Sequence, residues 1–197
     1  MQPTVTVIPI AVISAIALFF TKEILEGVRR YRGEQRKIKA IKMLISRECE
    51  LNLWTIKSIK YIVETIRDEA ELGAEFEFIF PRSGKTLFRV KRKNDDTKSG
   101  SSLTETHREL MDRYLLDAAT LDKKLYAALQ SAYDAVAELE HVRQSLIYFV
   151  EPEDNQDEMH LFGFVDYALG TLQEVSDGLA VLYKECTGDN LTKHRLR

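Results

Sequence analysis

Six basic residues lie within twelve consecutive positions of the chain, and no acidic residue interrupts them: Arg82, Lys85, Arg89, Lys91, Arg92 and Lys93. Arginine binds phosphate oxygens through paired N–H groups, so a ribbon with these charges predicts a site for a nucleotide, a nucleic acid or a lipid headgroup. A structural role is the alternative, and we favour it because charges on an exposed ribbon need no ligand to be tolerated. The charges would then protect an edge strand from aggregation, or pair with the acidic segment 151–158.

No other part of the chain has the residue spacing of an active site. Ser83-Gly84-Lys85-Thr86 resembles the end of a phosphate-binding loop, but Ile79 stands where that loop needs a glycine, and a strand rather than a helix is expected next. The four histidines are scattered, without the spacing of three or four residues that places two ligands on one helix face. The sequence therefore predicts no enzyme activity, no metal site and no cofactor.

The N-terminal segment is apolar. From Thr4 to Phe20 there is no charged residue, and these residues would reach about 25 Å as a helix at about 1.5 Å per residue. This predicts that residues 1–21 form a single transmembrane anchor. A cleaved signal peptide and a buried core helix are the alternatives, although the segment lacks the basic start and small-residue cleavage site of a signal peptide.

The charges after this segment predict its orientation. Residues 22–42 contain eight basic and three acidic residues, whereas residues 1–21 contain neither. Positive charge favours the cytoplasmic side, so we expect an N-terminus outside the inner (plasma) membrane, a basic neck over 22–37 at its anionic inner leaflet, and a cytoplasmic body. Within the anchor, Ala11, Ser14 and Ala15 share a face that would allow two spans to pack closely.

The remaining residues, 38–197, have mainly helical patterns. Apolar residues at steps of three and four predict helices over about 38–71, 103–150 and 157–187, the second with a coiled-coil-like seam. Alternating residues predict a β-hairpin over about 75–93, followed by a polar linker over 94–102. The predicted fold is mainly α: a membrane anchor and an antiparallel bundle of three long helices with an inserted β-hairpin.

Two functions follow from this architecture as hypotheses. The first is a membrane-anchored helical interaction or scaffold protein that self-associates or binds a cytoplasmic protein. The alternative is a ligand-gated membrane effector, for example in bacterial antiviral signalling, that senses an anionic nucleotide or lipid through the basic hairpin. The second hypothesis rests on the six basic residues and on a similarity of general layout to small membrane effectors.

Overall fold

The computed structural model describes residues 9–82, 84–92, 95–150 and 158–193. In this part of the chain, four α-helices and a three-stranded antiparallel sheet follow in the order α1 (Ile10–Ala70), β1 (Glu75–Ile79), β2 (Thr86–Arg92), β3 (Asp95–Leu103), α2 (Glu109–Leu121), α3 (Lys123–Val150) and α4 (Glu158–Thr187). The predictions of a mainly helical fold and of a helical bundle are confirmed.

The chain divides into two compact units, Met1–Ala40 and Ile41–Arg197. In the first unit, α1 exposes a series of large apolar side chains: Val12, Ile13, Ile16, Leu18, Phe19, Phe20, Ile24, Leu25, Val28 and Tyr31. Among the described residues, none of the helices combines the length and the apolar character that a membrane crossing requires. Residues 1–8 of the predicted anchor lie outside the described residues.

The second unit has one hydrophobic core shared by its helices and the sheet. The predicted stripe on α1 is buried from Ile41 to Ile66, and the predicted seam on α3 is buried at Leu125, Ala132, Leu139, Val142 and Leu146. Helices α3 and α4 run antiparallel, because Phe149 near the end of α3 stacks on Phe164 near the start of α4. Farther along, an added Cβ at Gly178 would lie 3.4 Å from the Cβ of Ala135, so small residues allow a close approach.

The predicted helix over 103–150 is wrong as a single helix, because the chain turns at Asp122. This residue has an extended backbone, and its Oδ1 accepts hydrogen bonds from the N–H groups of Lys124 (3.0 Å) and Leu125 (3.1 Å). It is therefore the N-cap of α3. Its other carboxylate oxygen lies 3.2 Å from Nζ of Lys42. The apolar residues of the predicted seam keep the same spacing before and after Asp122, so the sequence pattern did not indicate the break.

The predicted hairpin is also incomplete, because residues assigned to a linker form β3. This strand pairs antiparallel with β2, which places Ser101 opposite Phe88 and Gly100 opposite Arg89. An added Cβ at Gly100 would lie 2.7 Å from the carbonyl oxygen of Phe88, so glycine permits this close approach. The third strand supplies the partner that a marginal two-stranded hairpin lacks. As a result β2 is the central strand, and the edge-strand interpretation of its charges is wrong.

Polar side chains of α1 hold the end of β3 and the non-helical segment that leads from it into α2. The Asn52 amide exchanges two hydrogen bonds with the backbone of His107, at 2.6 and 2.8 Å. Thr55 Oγ1 donates to the carbonyl oxygen of Glu105 (2.8 Å), and Ser58 Oγ donates to that of Ser102 (2.5 Å). A segment outside helices and strands needs such partners for its backbone groups. We call Glu48, Asn52, Thr55 and Ser58 the polar ladder.

Glu48, the first member of the polar ladder, caps α2 from a different helix. The side chain of Arg108, the N-cap residue of α2, makes no capping hydrogen bond. Instead the N–H groups of Leu110 and Met111 donate to the two carboxylate oxygens of Glu48, at 2.9 and 2.8 Å. Burial raises the pKa of Glu48, and these two hydrogen bonds oppose the rise. The carboxylate thus satisfies two N–H groups that have no partner within α2.

Glu140 on α3 holds the same segment. Its carboxylate accepts hydrogen bonds from Thr106 Oγ1 (2.8 Å), from Arg143 Nη2 (2.7 Å) and from Gln144 Nε2 (2.8 Å). Burial alone would raise the pKa of Glu140, but the hydrogen bonds from Arg143, Thr106 and Gln144 lower it to about 2. The segment is therefore held by both α1 and α3.

Removing the cap should destabilise the second unit. We expect Glu48→Ala to lower the free energy of unfolding by about 1–3 kcal/mol, because two backbone N–H groups lose their acceptors. Glu64→Ala is the control: this partly exposed carboxylate of the same helix has one 3.9 Å ion pair with Lys60, and its loss should change the free energy of unfolding by less than about 0.5 kcal/mol. Urea unfolding followed by circular dichroism measures both variants. Equal stability of the two variants would show that Glu48 does not cap α2.

Glu140 should make stability depend on pH. Its folded pKa is lowered, so its contribution is present above the ordinary value near 4.5 and is lost as the pH falls towards about 2. Glu140→Gln should cost about 1–2 kcal/mol at pH 7, a figure reduced because the side chain is partly exposed. The difference from the unmutated protein should shrink below about pH 4.5. Glu48 is common to both proteins, so its titration cancels.

Urea unfolding at pH 7, 5, 4 and 3 measures this difference, with Glu138→Gln on the same helix as the control for loss of one negative charge. A difference between Glu140→Gln and the unmutated protein that stays constant over this range would contradict the assignment.

Candidate functional site

The candidate site is the outer face of the sheet, which carries Arg89 and Lys91 of the six predicted basic residues. Antiparallel pairing places Glu75 opposite Lys91 and Glu77 opposite Arg89. Because side chains alternate along a strand, the residues between them, Phe76, Phe78, Phe88 and Val90, lie on the opposite face and pack on the core. We call Glu75, Glu77, Arg89 and Lys91 the charged face.

Each basic residue of the charged face has an acidic partner on the neighbouring strand. Arg89 Nη1 lies 2.9 Å from Glu77 Oε1, and Lys91 Nζ lies 2.9 Å from Glu75 Oε2. The hydrogen bond to Glu75 raises the pKa of Lys91. Cross-strand pairs of this kind stabilise a sheet modestly when they are exposed. They also neutralise much of the positive charge that an anionic ligand would need.

Arg92 pairs with a carboxylate outside the sheet. Its guanidinium donates two hydrogen bonds to Glu69 in the last turn of α1, one of them from Nε at 2.8 Å and the other from Nη2. The hydrogen bond from Arg92 lowers the pKa of Glu69. This bidentate pair connects the end of β2 to the end of α1.

The structure thus separates the six predicted basic residues into three groups. Arg89, Lys91 and Arg92 are paired with acidic residues. Arg82 and Lys85 are exposed near the turn between β1 and β2. Lys93 lies outside the described residues. Among the described residues, the acidic partners come from positions 69, 75 and 77. Residues 151–157 of the acidic segment lie outside the described residues, and pairing with that segment stays a prediction.

The turn between β1 and β2 has hairpin geometry. Gly84 has a φ of 77°, and its N–H donates to the carbonyl oxygen of Pro81 at 3.0 Å. The next element is β2, as the hairpin interpretation predicts, whereas a phosphate-binding loop would lead into a helix.

A small apolar groove lies on the sheet next to the charged face. It has a volume of about 220 Å³ and is lined by Ile79, Leu87, Phe88, Arg89, Gly100, Ser101 and Ser102. Leu87 is exposed, and so is Phe80 just beyond the end of β1. Sequence reasoning missed this groove because β3, which contributes three of its residues, was assigned to a linker.

The remaining candidates for chemistry among the described residues are metal-ligand clusters and the two cysteines. No cluster of three or more histidine, cysteine, aspartate or glutamate residues in the described part could hold a metal ion. Burial raises the pKa of the Cys186 thiol to about 12 and that of Cys49 well above its usual value, so both are poor nucleophiles. Ala11, Ser14 and Ala15 are exposed on α1, and their role in association between chains stays a prediction.

Comparison with known proteins finds no match to a protein-family model, to a curated protein or to a solved structure. Function is therefore inferred from the residues of this chain.

The stability lost by reversing one charge of the charged face should be recovered when the charge of its partner is reversed as well. Arg89→Glu should lower the free energy of unfolding by about 0.5–1 kcal/mol, because it places two carboxylates opposite each other. The double variant Arg89→Glu/Glu77→Arg should recover most of this loss. Urea unfolding of the two variants tests the pair. A double variant no more stable than Arg89→Glu would mean that the two side chains do not interact.

Proposed function

We propose that this chain is a single-pass, membrane-anchored helical protein whose cytoplasmic body binds another protein. The observation that carries the proposal is the exposed apolar surface near the start of α1. Leu18 is 71% exposed and Phe19 and Phe20 are each 59% exposed, within a segment that has no charge from Thr4 to Thr21. A continuous apolar surface of this kind is unfavourable in water and is typical of a membrane or interface contact.

The residues that follow support the proposed orientation. The basic neck places positive charges beside the apolar segment, and anionic lipids of the cytoplasmic leaflet attract such charges. In this topology residues 1–21 cross the inner membrane with the N-terminus outside.

Protein binding is proposed for the body because its buried polar groups serve the fold. Glu48 caps α2, Glu140 holds the segment before α2, and Asp122 caps α3, so these three carboxylates are engaged in the fold. The exposed surface of the sheet includes groups that, unlike these carboxylates, have no assigned role in the fold. The charged face adjoins a small groove and the exposed Leu87 and Phe80, a combination of apolar and polar groups that suits a protein interface.

Anionic-ligand sensing has less support than protein binding. Arg89, Lys91 and Arg92 already bind carboxylates, so a phosphate would have to displace these partners. Two exposed cations near the turn, Arg82 and Lys85, do not by themselves make a specific phosphate site.

A pair of matched leucine variants tests the anchor. Leu18→Asp places a charge in the proposed span, whereas Leu116→Asp places the same charge on α2, where the leucine is 77% exposed. After cell fractionation and an alkaline wash, we expect Leu18→Asp to be at least several-fold depleted from the membrane fraction, because a carboxylate within the apolar segment opposes insertion. Leu116→Asp should remain there. Recovery of the unmutated protein in the wash supernatant would contradict the proposal.

The proposed orientation has its own test. A C-terminal reporter that is active only in the cytoplasm should be active, and one that requires export should be inactive. The opposite pattern would overturn the orientation.

A further inference from the structure

The part of α1 that follows the proposed anchor has a second exposed apolar surface with coiled-coil spacing. Its residues recur at alternating steps of four and three: Ile24, Val28, Tyr31, Gln35 and Ile38. We call them the neck seam. Ile24 is 66% exposed, Val28 42% and Tyr31 62%. The polar Gln35 is also exposed, and Ile38 is half-buried. All five residues belong to the first unit.

None of the charged residues of this region lies on the neck seam. With Ile24, Tyr31 and Ile38 at heptad position d and Val28 and Gln35 at position a, the other five positions hold every charge between residues 22 and 40: Lys22, Glu23, Glu26, Arg29, Arg30, Arg32, Glu34, Arg36, Lys37 and Lys39. An apolar a/d seam between polar flanks is the pattern of a two-stranded coiled coil. Gly27 and Gly33 weaken this helix when it stands alone, so a partner would be needed to stabilise it.

We propose that the neck seam binds the same seam of a second copy, as a parallel, in-register coiled coil. This inference rests on the proposed function, because anchoring both copies with one orientation makes their helices parallel. In a parallel pair, position g of one helix faces position e of the next heptad in the other. Glu34 occupies g and Lys39 occupies e, so the pairing creates two attractive contacts between the copies.

An antiparallel pair fits these residues less well. It would bring the e positions of the two copies together, and Arg32 and Lys39 would then repel their counterparts. Both are exposed in the described structure. The polar Gln35 at an a position also favours one register, since shifting the helices would bury its amide against an apolar residue.

The same heptad phase continues into the proposed anchor. There Ser14, Ala17 and Thr21 occupy the a and d positions, and the Thr21 hydroxyl is already bonded to the carbonyl oxygen of Ala17 at 2.8 Å. Small residues allow helices to approach closely in a membrane, while larger apolar residues drive association in water. The seam changes from small to large side chains near residue 24, where the proposed span ends. Ser14 also belongs to the predicted Ala11, Ser14 and Ala15 face.

Cysteine cross-linking in native membranes tests the surface. Val28→Cys, at position a, should form a covalent dimer on mild oxidation. Arg30→Cys, at position c outside the seam, should form at least several-fold less of this covalent dimer. The unmutated chain gives the background from Cys49 and Cys186. Equal cross-linking of the two variants would overturn the proposed seam.

Charge exchange tests the register. Glu34→Lys alone and Lys39→Glu alone should each reduce cross-linking of Val28→Cys, because each brings like charges together. Co-expression of the two charge variants should restore it, since the mixed pair has only attractive contacts. No reduction in either variant, or no restoration in the mixture, would overturn the parallel register.

Membrane fractionation of the same samples separates this inference from the proposed function. A Val28→Cys chain that stays in the membrane without cross-linking contradicts the coiled coil alone. A chain that cross-links but is found in the soluble fraction contradicts the membrane anchor, and leaves the neck seam supported.

Discussion

The structure of the second unit depends on satisfying the backbone of the segment between β3 and α2. In this segment, α1 supplies acceptors and donors for the backbone of Glu105 and His107 through the polar ladder, while Glu140 on α3 accepts a hydrogen bond from the Thr106 hydroxyl. Glu48 adds the cap that starts α2. Because unsatisfied buried backbone groups are costly, these contacts fix where the sheet ends and where the bundle resumes. The apolar core provides most of the stability, and the ladder determines the alignment of its parts.

That alignment also determines which surfaces are available for binding. With Ser102 and Glu105 held against α1, the strands turn their phenylalanines to the core and their ionic pairs outward. Arg92 joins the sheet to α1 a second time. The result is a sheet whose charged face is neutralised by its own ion pairs, and this is one reason why we propose protein binding rather than the sensing of a small anion. In the first unit, most of the described apolar residues of α1 are exposed, and they are the basis of the proposed contacts with a membrane and with a second copy.

Much of the fold follows from sequence periodicity. Each predicted element has a single face that packs on the core. This face gives the apolar stripes of α1, α3 and α4 and the alternating residues of β1 and β2. Strand β3 could not be found in this way, because Asp95-Asp96-Thr97-Lys98-Ser99 has no apolar alternation and the strand forms through backbone pairing with β2. The break at Asp122 was hidden by an uninterrupted seam. The cross-strand ion pairs could have been predicted by aligning Glu75 and Glu77 with the basic residues across the turn. The cap from Glu48 could not, because it joins positions 62 and 63 residues apart.

We propose, above all, that this chain is anchored in a membrane and that its body binds another protein. Native mass spectrometry of the complex, extracted from native membranes in mild detergent, tests it most directly because it reports every stably bound component together. The account predicts two copies of the chain with additional mass from a protein and without a stoichiometric nucleotide. A single chain carrying one nucleotide, with no second protein, would contradict it.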